Sequence, residues 1–247
     1  MPYKLINYAE KICNKSLYLM KYSISIILPI LNEIKSLKKT LIILNKIKVN
    51  KEFIIIYSNK LSKKLVKKEI FFLKKKYKNL KHFSQIRPYV GGAIDLGIKK
   101  ANKNYIAIMA SDMETNPNEL KDMIKVSAKN YNCIISADRW ASNKGFKGYG
   151  LIKFLANLIF QKLLKILYNY KILDFTFAYR IYPKNALKRY SIKELRHGFA
   201  LEVLLMPLKN GYEVITVPSR WKKRQEGSSS ININSYISYL KVLGSHL

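Results

Sequence analysis

The sequence predicts an α/β protein built on an open, mostly parallel sheet with helices on both faces. Three observations predict it. Short β-branched apolar runs alternate with longer stretches of helical apolar spacing. The short runs are apolar at nearly every position, as strands buried on both faces require. The chain of 247 residues is 49% apolar, enough to bury roughly 70–75% of the surface its unfolded form exposes. Disorder and collagen-like architecture are thereby excluded.

The elements follow in order. Ser25–Leu31 (SIILPIL) reads as a buried strand and Glu33–Leu44 as a helix. Phe53–Tyr57 (FIIIY) is a second strand. Leu61–Tyr77 is helical, with Val66, Ile70, Leu73 and Tyr77 on one face. Leu80–Ile86 is a weaker strand, Gly91–Ala101 a helix entered through two glycines, Tyr105–Met109 a fourth strand, Glu119–Lys129 a helix and Cys133–Ala137 a fifth strand. On such sheets ligands bind beyond the carboxyl ends of the strands, near Pro29, Tyr57 and Met109.

Past Arg139 the texture changes. Trp140–Gly150 is a loop, and Gly150–Tyr170 a long helix. Lys153, Asn157, Gln161, Lys165 and Asn169 recur every four residues there, a narrow polar stripe on an apolar cylinder. Its wide apolar face suits either a core beneath the carboxyl-side segment or a membrane interface. Asp174–Tyr182 reads as a strand, Leu201–Lys209 as a helix, Glu213–Val217 as a strand, Ser219–Ser230 as a basic loop, and the rest as a final helix. The expected organisation is one domain: an amino-terminal extension (1–22), a nucleotide-binding half (24–137) and an acceptor-side half (139–247).

Lys and Arg number 46 against 15 Asp and Glu, a formal charge of +31. That excess points to an anionic partner, or to drift in a sequence crowded with Lys, Ile, Asn and Tyr. Lysine is spread along the chain, with no helix-turn-helix or RNP-like signature, so no nucleic-acid partner is expected. Cys13 and Cys133 are too few for a disulfide framework or a zinc site. The first ten residues lack the apolar core of a signal peptide, and no run approaches the roughly 18 apolar residues of a spanning helix.

The sharpest chemical signal is Ala110–Pro117 (ASDMETNP), after the fourth strand. Asp112 and Glu114 lie two apart, so an extended segment points both carboxylates the same way. Such a pair chelates Mg²⁺ or Mn²⁺; alternatively, the segment is an acidic turn before the next helix.

Together the segments resemble family-2 glycosyltransferases with the GT-A fold, above all the branch of dolichyl- and polyprenyl-phosphate sugar synthases, over roughly residues 23–235. SIILPILNE is similar to the family's opening strand and P-x-Y-N-E turn, GGAIDLG to its glycine-bearing helix, and YIAIMASDMETNP to its D-x-D strand. DFTFAYR, FALE, Gly211-Tyr212, Val217-Pro218 and RQEGSS follow in the family's order. The sequence departs in three places. Ala110 replaces the first D-x-D carboxylate, Tyr57-Ser58 stands where an acidic pair usually reads the nucleobase, and Leu31 replaces a tyrosine.

The resemblance implies an inverting transfer of sugar from a UDP- or GDP-sugar to a polyprenyl-phosphate or saccharide acceptor in cell-surface glycan synthesis. Pro29, Asn32, Glu33, Tyr57, Gly91, Ser111, Asp112, Arg180 and Arg224 would contact the donor. Asp112 and Glu114 would hold Mg²⁺ or Mn²⁺. Asp174, Glu202 and Arg224 would be catalytic, with Arg224 gripping the diphosphate. The departures leave a degenerate binding or scaffold subunit as the alternative. From charge type alone, Arg224 reads as part of a solvated run with Arg220, Lys222 and Lys223, Asp174 and Arg180 as a structural pair, Glu202 as a helix cap, and His197 as an incidental loop residue. No residue stands out as a base for a hydroxyl acceptor, which favours an anionic phosphate oxygen. The expected location is the cytoplasmic membrane face, bound peripherally to its anionic lipids.

Overall fold

A computed structural model describes residues 22–142, 145–146, 149–170, 172, 174–227 and 233–246. Cys13, most of the expected amino-terminal extension and the serines closing RQEGSS lie outside them. The strands are β1 (Ser23–Ile30), β2 (Asn50–Tyr57), β3 (Leu80–Ser84), β4 (Tyr105–Ile108), β5 (Cys133–Asp138), β6 (Arg180–Pro183) and β7 (Glu213–Pro218). The helices are α1 (Ile34–Asn45), α2 (Lys64–Lys76), α3 (Tyr89–Lys100), α4 (Glu119–Lys129), α5 (Leu151–Tyr168), the single turn α6 (Lys184–Leu187), α7 (Phe199–Lys209) and α8 (Ile233–His246).

The strands form one mixed, mostly parallel sheet in the order β3-β2-β1-β4-β6-β5-β7, an α/β fold of the GT-A kind. β1 sits between β2 and β4, with Ile27 beside both Ile54 and Ile108. β6 alone runs against its neighbours, antiparallel to β4 and to β5. The carboxyl ends of the other six strands therefore share one edge, so loops distant in sequence meet there.

Side-chain alternation along the strands explains why they read as continuous apolar runs. Ile24, Ile26, Leu28, Phe53 and Ile55 pack on one face with Leu37, Leu41, Ile70 and Met123. Ile27, Ile54, Ile56 and Ile106 pack on the other with Ala93, Ile94 and Val203. A third cluster joins α5, α7 and α8 through Leu164, Leu204 and Leu243.

Two expectations need correction. The strand foreseen over Asp174–Tyr182 begins only at Arg180. Before it, the Asp174 carboxylate accepts the Phe177 N–H at 3.2 Å and holds the backbone in a turn. Helix α5 is turned inside out relative to an ordinary surface helix. Only the middle of its polar stripe faces the protein: Gln161 is buried, and its Nε2 donates to Asn157 Oδ1 at 2.9 Å and Thr176 Oγ1 at 2.9 Å, whereas Lys153, Lys165 and Asn169 are exposed. Its apolar face looks outward, with Ile152 85% and Ile166 79% exposed.

Candidate active site

The loops leaving β1, β4 and β7 converge at the shared edge. After β1, the Leu31 and Asn32 N–H groups both donate to Glu33 Oε2 at 3.0 Å, which closes the turn into α1. Asn32 Oδ1 accepts the Lys63 N–H at 3.0 Å and ties this turn to the start of α2. Ser111 Oγ donates to the Pro29 carbonyl at 2.7 Å, clamping the loop after β4 against the end of β1.

The Asp112–Glu114 segment is a tight turn, not the extended stretch foreseen. Asp112 Oδ1 accepts the Glu114 N–H at 3.0 Å, and Met113 takes a left-handed φ of 68°. Both carboxylates nonetheless meet one guanidinium. Arg224 Nε donates to Glu114 Oε1 at 2.9 Å, and its Nη2 lies 3.4 Å from Asp112 Oδ2. Arg220, Lys222 and Lys223 are exposed, whereas Arg224 turns inward.

The Arg224 loop is pinned on both sides. The Lys222 N–H reaches the Glu114 carbonyl at 3.3 Å. Glu226 Oε2 accepts the Ser36 N–H at 2.9 Å, in the amino-terminal turn of α1, where the helix dipole favours an anion. Gly227, at φ 81°, lies so close to Glu33 that a Cβ would sit 2.7 Å from Oε1. Loop and helix pack there because the residue is glycine.

These charges perturb one another. Burial, followed by the negative charge of Glu114, raises the Asp112 carboxyl to about 6. Burial disfavours the Arg224 cation, but the hydrogen bond and charge of Glu114, together with Asp112, outweigh it and raise its pKa. His197 is half-buried, and burial, then the charge of Arg224, shifts its imidazole downward.

Other predicted site residues lie elsewhere. Asp174 is fully buried beneath the cleft, bound by Arg139 through Nε at 2.6 Å and Nη2 at 2.9 Å. Arg139 in turn lies over the Phe177 ring, 4.6 Å from its centroid. Arg180 is also fully buried and donates to Ser136 Oγ and to the carbonyls of Asp174, Phe175 and Ala200. The expectation of a cleft-facing acid and cation at these positions is corrected to a folding lock. Glu202 is 2% exposed and accepts the Lys193 and Glu194 N–H groups at 2.9 and 2.7 Å, so it anchors a loop. Gly91 also serves packing: its N–H bonds to the Leu195 carbonyl at 2.8 Å, and a Cβ would lie 2.6 Å from the Glu194 carbonyl oxygen. Tyr57 stays at the edge, its ring 6.1 Å from that of His82, and the Ser58 hydroxyl accepts the Leu61 N–H.

Sequence reasoning missed Arg139, the partner of Asp174. Nothing in the local pattern around Arg139 marks a buried cation whose counter-ion lies 35 residues on. It also missed Asp138, buried beside that pair, whose Oδ1 accepts the Trp140 and Ala141 N–H groups.

Among the described residues no group of three or more His, Cys, Asp or Glu side chains is placed to hold a metal ion. What the edge does offer is a pair of carboxylates, Asp112 and Glu114, around one guanidinium. That suits Mg²⁺ or Mn²⁺ completing its shell with phosphate and water oxygens. Beyond the burial that chiefly raises Asp112, the repulsion from Glu114 is the kind a cation relieves, and Arg224 relieves part of it here.

Comparison with known proteins bears on the family and the fold. A family model, "Glycosyl transferase family 2", matches residues 25–191. The chain is similar in structure to glucosyl-3-phosphoglycerate synthase from Mycobacterium tuberculosis, in a crystal structure with Mn²⁺, uridine diphosphate and phosphoglyceric acid. The TM-score is 0.71 and the identity 12%, covering 94% of this chain and 81% of that one. A second structure of that enzyme, with Mg²⁺ and uridine diphosphate, gives a TM-score of 0.69 at 14% identity over 95% and 83% of the two chains. A crystal structure of a mycobacterial protein gives 0.70 at 13% identity over 94% and 78%. The match over residues 25–191 takes in the loops after β1 and β4 that carry Glu33, Asp112 and Glu114, and on that ground the chain belongs to glycosyl transferase family 2.

Proposed function

We propose that the protein transfers a sugar from a UDP- or GDP-sugar, with Mg²⁺ or Mn²⁺, to a polyprenyl-phosphate or saccharide acceptor in cell-surface glycan synthesis. The observation that carries this reading is the convergence of Arg224 with Asp112 and Glu114. A guanidinium and two carboxylates at the carboxyl edge suit a metal diphosphate: the carboxylates hold the cation, and the arginine binds the phosphate oxygens. The similar synthase is named with Mn²⁺, uridine diphosphate and a phosphate-bearing acceptor in one crystal, which supports the same ligand classes here.

A bound divalent cation supplies neutralising charge for the departing diphosphate. Arg224 exchanges Glu114 and Asp112 for phosphate oxygens and neutralises the charge that grows in the transition state. Glu33 and Asn32 order the turn after β1, and Ser111 holds it against the metal-binding loop. With Asp174 and Glu202 committed to internal partners, no proton acceptor is assigned to them. This supports an acceptor whose attacking oxygen is already anionic, namely a polyprenyl phosphate. That acceptor places the work at an anionic bilayer, on the cytoplasmic face, with the protein bound peripherally.

A panel of UDP- and GDP-sugars, titrated with and without Mn²⁺ and assayed with a polyprenyl phosphate or an oligosaccharide, tests the proposal. Metal-dependent binding and a glycosylated product support it. Absence of nucleotide binding would leave a degenerate GT-A subunit as the reading. Transfer to a saccharide alone would remove the lipid-phosphate part.

A further inference from the structure

The geometry points to the outward face of α5 as a membrane-docking surface that seats in an anionic bilayer. The inference takes its partner from the bilayer reading above but rests on its own structural observations. Leu151, Ile152, Leu155, Ile159, Leu163 and Ile166 are all exposed. At about 100° per residue they fall within an arc of about 120°, an apolar stripe along 18 residues of helix that a single charged residue, Lys162, enters near one edge. Soluble surfaces rarely leave a stripe of that size facing water.

The opposite side fixes the orientation. Gln161 Oε1 accepts the Phe175 N–H at 2.9 Å, and its Nε2 reaches Thr176. Leu164 is wholly buried among Leu201, Leu204 and Leu205. Rolling the helix to hide the stripe would break these bonds and expose that contact. The apolar face is therefore held outward by the core.

Charge selects the occupant. Lys162 sits just inside one edge of the stripe, Lys165 just beyond that edge and Lys153 beyond the other, all exposed. A bilayer offers hydrocarbon for the stripe and anionic headgroups for these ammonium groups. A second copy of a chain with formal charge +31 offers hydrocarbon but adds repulsion. No helix of the described residues is long and apolar enough to cross a membrane, so α5 would lie in the interface plane. α5 follows the loop that leaves β5 at the active-site edge, which would bring the site to the headgroup level.

The test uses the full chain with sucrose-loaded phosphatidylcholine vesicles, with and without phosphatidylglycerol, at low and high salt. The wild type is expected to pellet with the anionic vesicles and to be released by salt. Ile159→Glu combined with Ile166→Glu should weaken partitioning by about tenfold or more, whereas Phe71→Glu, at an exposed site on α2, should change it by less than about twofold. Melting temperature and Mn²⁺-dependent UDP binding, measured on the same variants, report fold and site separately. Vesicle binding that depends on α5 without nucleotide binding would remove the glycosyl-transfer reading and keep the docking face. Three results would overturn the docking face: a wild type that does not pellet, a double variant that pellets like wild type, or a wild-type dimer in sedimentation equilibrium that the double variant converts to monomer.

Discussion

Arg224 and Glu114, 110 residues apart, are joined by an Nε–H···Oε1 hydrogen bond of 2.9 Å, with Asp112 3.4 Å from the same guanidinium. The loop after β7 is thereby tied to the loop after β4. Replacing Arg224 by alanine should lower kcat by about 10²–10³-fold, the usual effect of losing a charge-stabilising donor. Little packing is lost, so the melting temperature should stay close to wild type. Arg224→Lys should recover only part of the rate, because an ammonium cannot make the fork of bonds a guanidinium makes. Steady-state kinetics beside thermal melting give both answers.

Asp112→Ala should abolish Mn²⁺-dependent nucleotide binding, and Glu114→Ala should weaken it less. Asp112 is the more enclosed of the two, and its carboxylate also organises the turn by accepting the Glu114 N–H. Calorimetric titration of UDP and GDP into each variant, with and without Mn²⁺, measures the loss. Unchanged affinity in Asp112→Ala would remove it from the metal site.

The Arg139–Asp174 pair should report in stability, not in turnover. Arg139→Ala leaves a wholly buried carboxylate without its counter-ion. The expected cost is about 3–5 kcal/mol, which lowers the melting temperature by on the order of 10 °C. Arg139→Ala with Asp174→Ala should recover part of that loss. A single variant that melts normally but loses activity would return Asp174 to the catalytic group.

Asp138 gives a pH signature. Burial, then the negative charge of Asp174, raises its pKa, and among the described residues its Oδ2 has no hydrogen-bond partner. Between the ordinary value of 3.8 and the raised one, the folded state holds a proton that the unfolded state does not. Stability attributable to this group therefore falls as pH rises through that window, and the deficit is complete above it. Asp138→Asn keeps an oxygen for the Trp140 and Ala141 N–H groups and carries no charge. Relative to wild type it should melt higher at neutral pH than at pH 4. Calorimetric melts across that range check the slope.

Gly91→Ala should destabilise by roughly 1–3 kcal/mol, because the added methyl meets backbone that cannot rotate away. Its nearest neighbours would be the Glu194 carbonyl oxygen at 2.6 Å and Leu195 Cα at 2.7 Å. Denaturant titration measures the loss.

Most of the architecture was legible because β1, β2 and β4 are apolar on both faces and admit few other readings. The convergence of Asp112 and Arg224 was legible through motif order, but their direct contact was not, since no local pattern records a partner so far along the chain. Asp174, Arg180 and Glu202 were assigned to the site through the family resemblance, and charge type alone, which left a structural pair and a helix cap open, does not say which way a side chain faces. Their partners are Arg139, a serine hydroxyl and backbone groups, invisible to spacing. The α5 periodicity was read correctly as amphipathic, yet it could not say which side the protein occupies. Gln161 decides that through bonds to residues 175 and 176.

The antiparallel strand β6, which lies between β4 and β5 in the sheet, also governs the order of assembly. β1 to β4 can pair among themselves as soon as residue 108 has been synthesised. β5 pairs only with β6 and β7, so it emerges from the ribosome with neither of its ladder partners made. Its Ile134 and Ile135 must wait for residues 180–183 and 213–218 before the sheet shields them. Nascent chains halted between residues 140 and 178 should therefore carry an unpaired apolar strand, the species most prone to aggregate and to recruit a chaperone during synthesis.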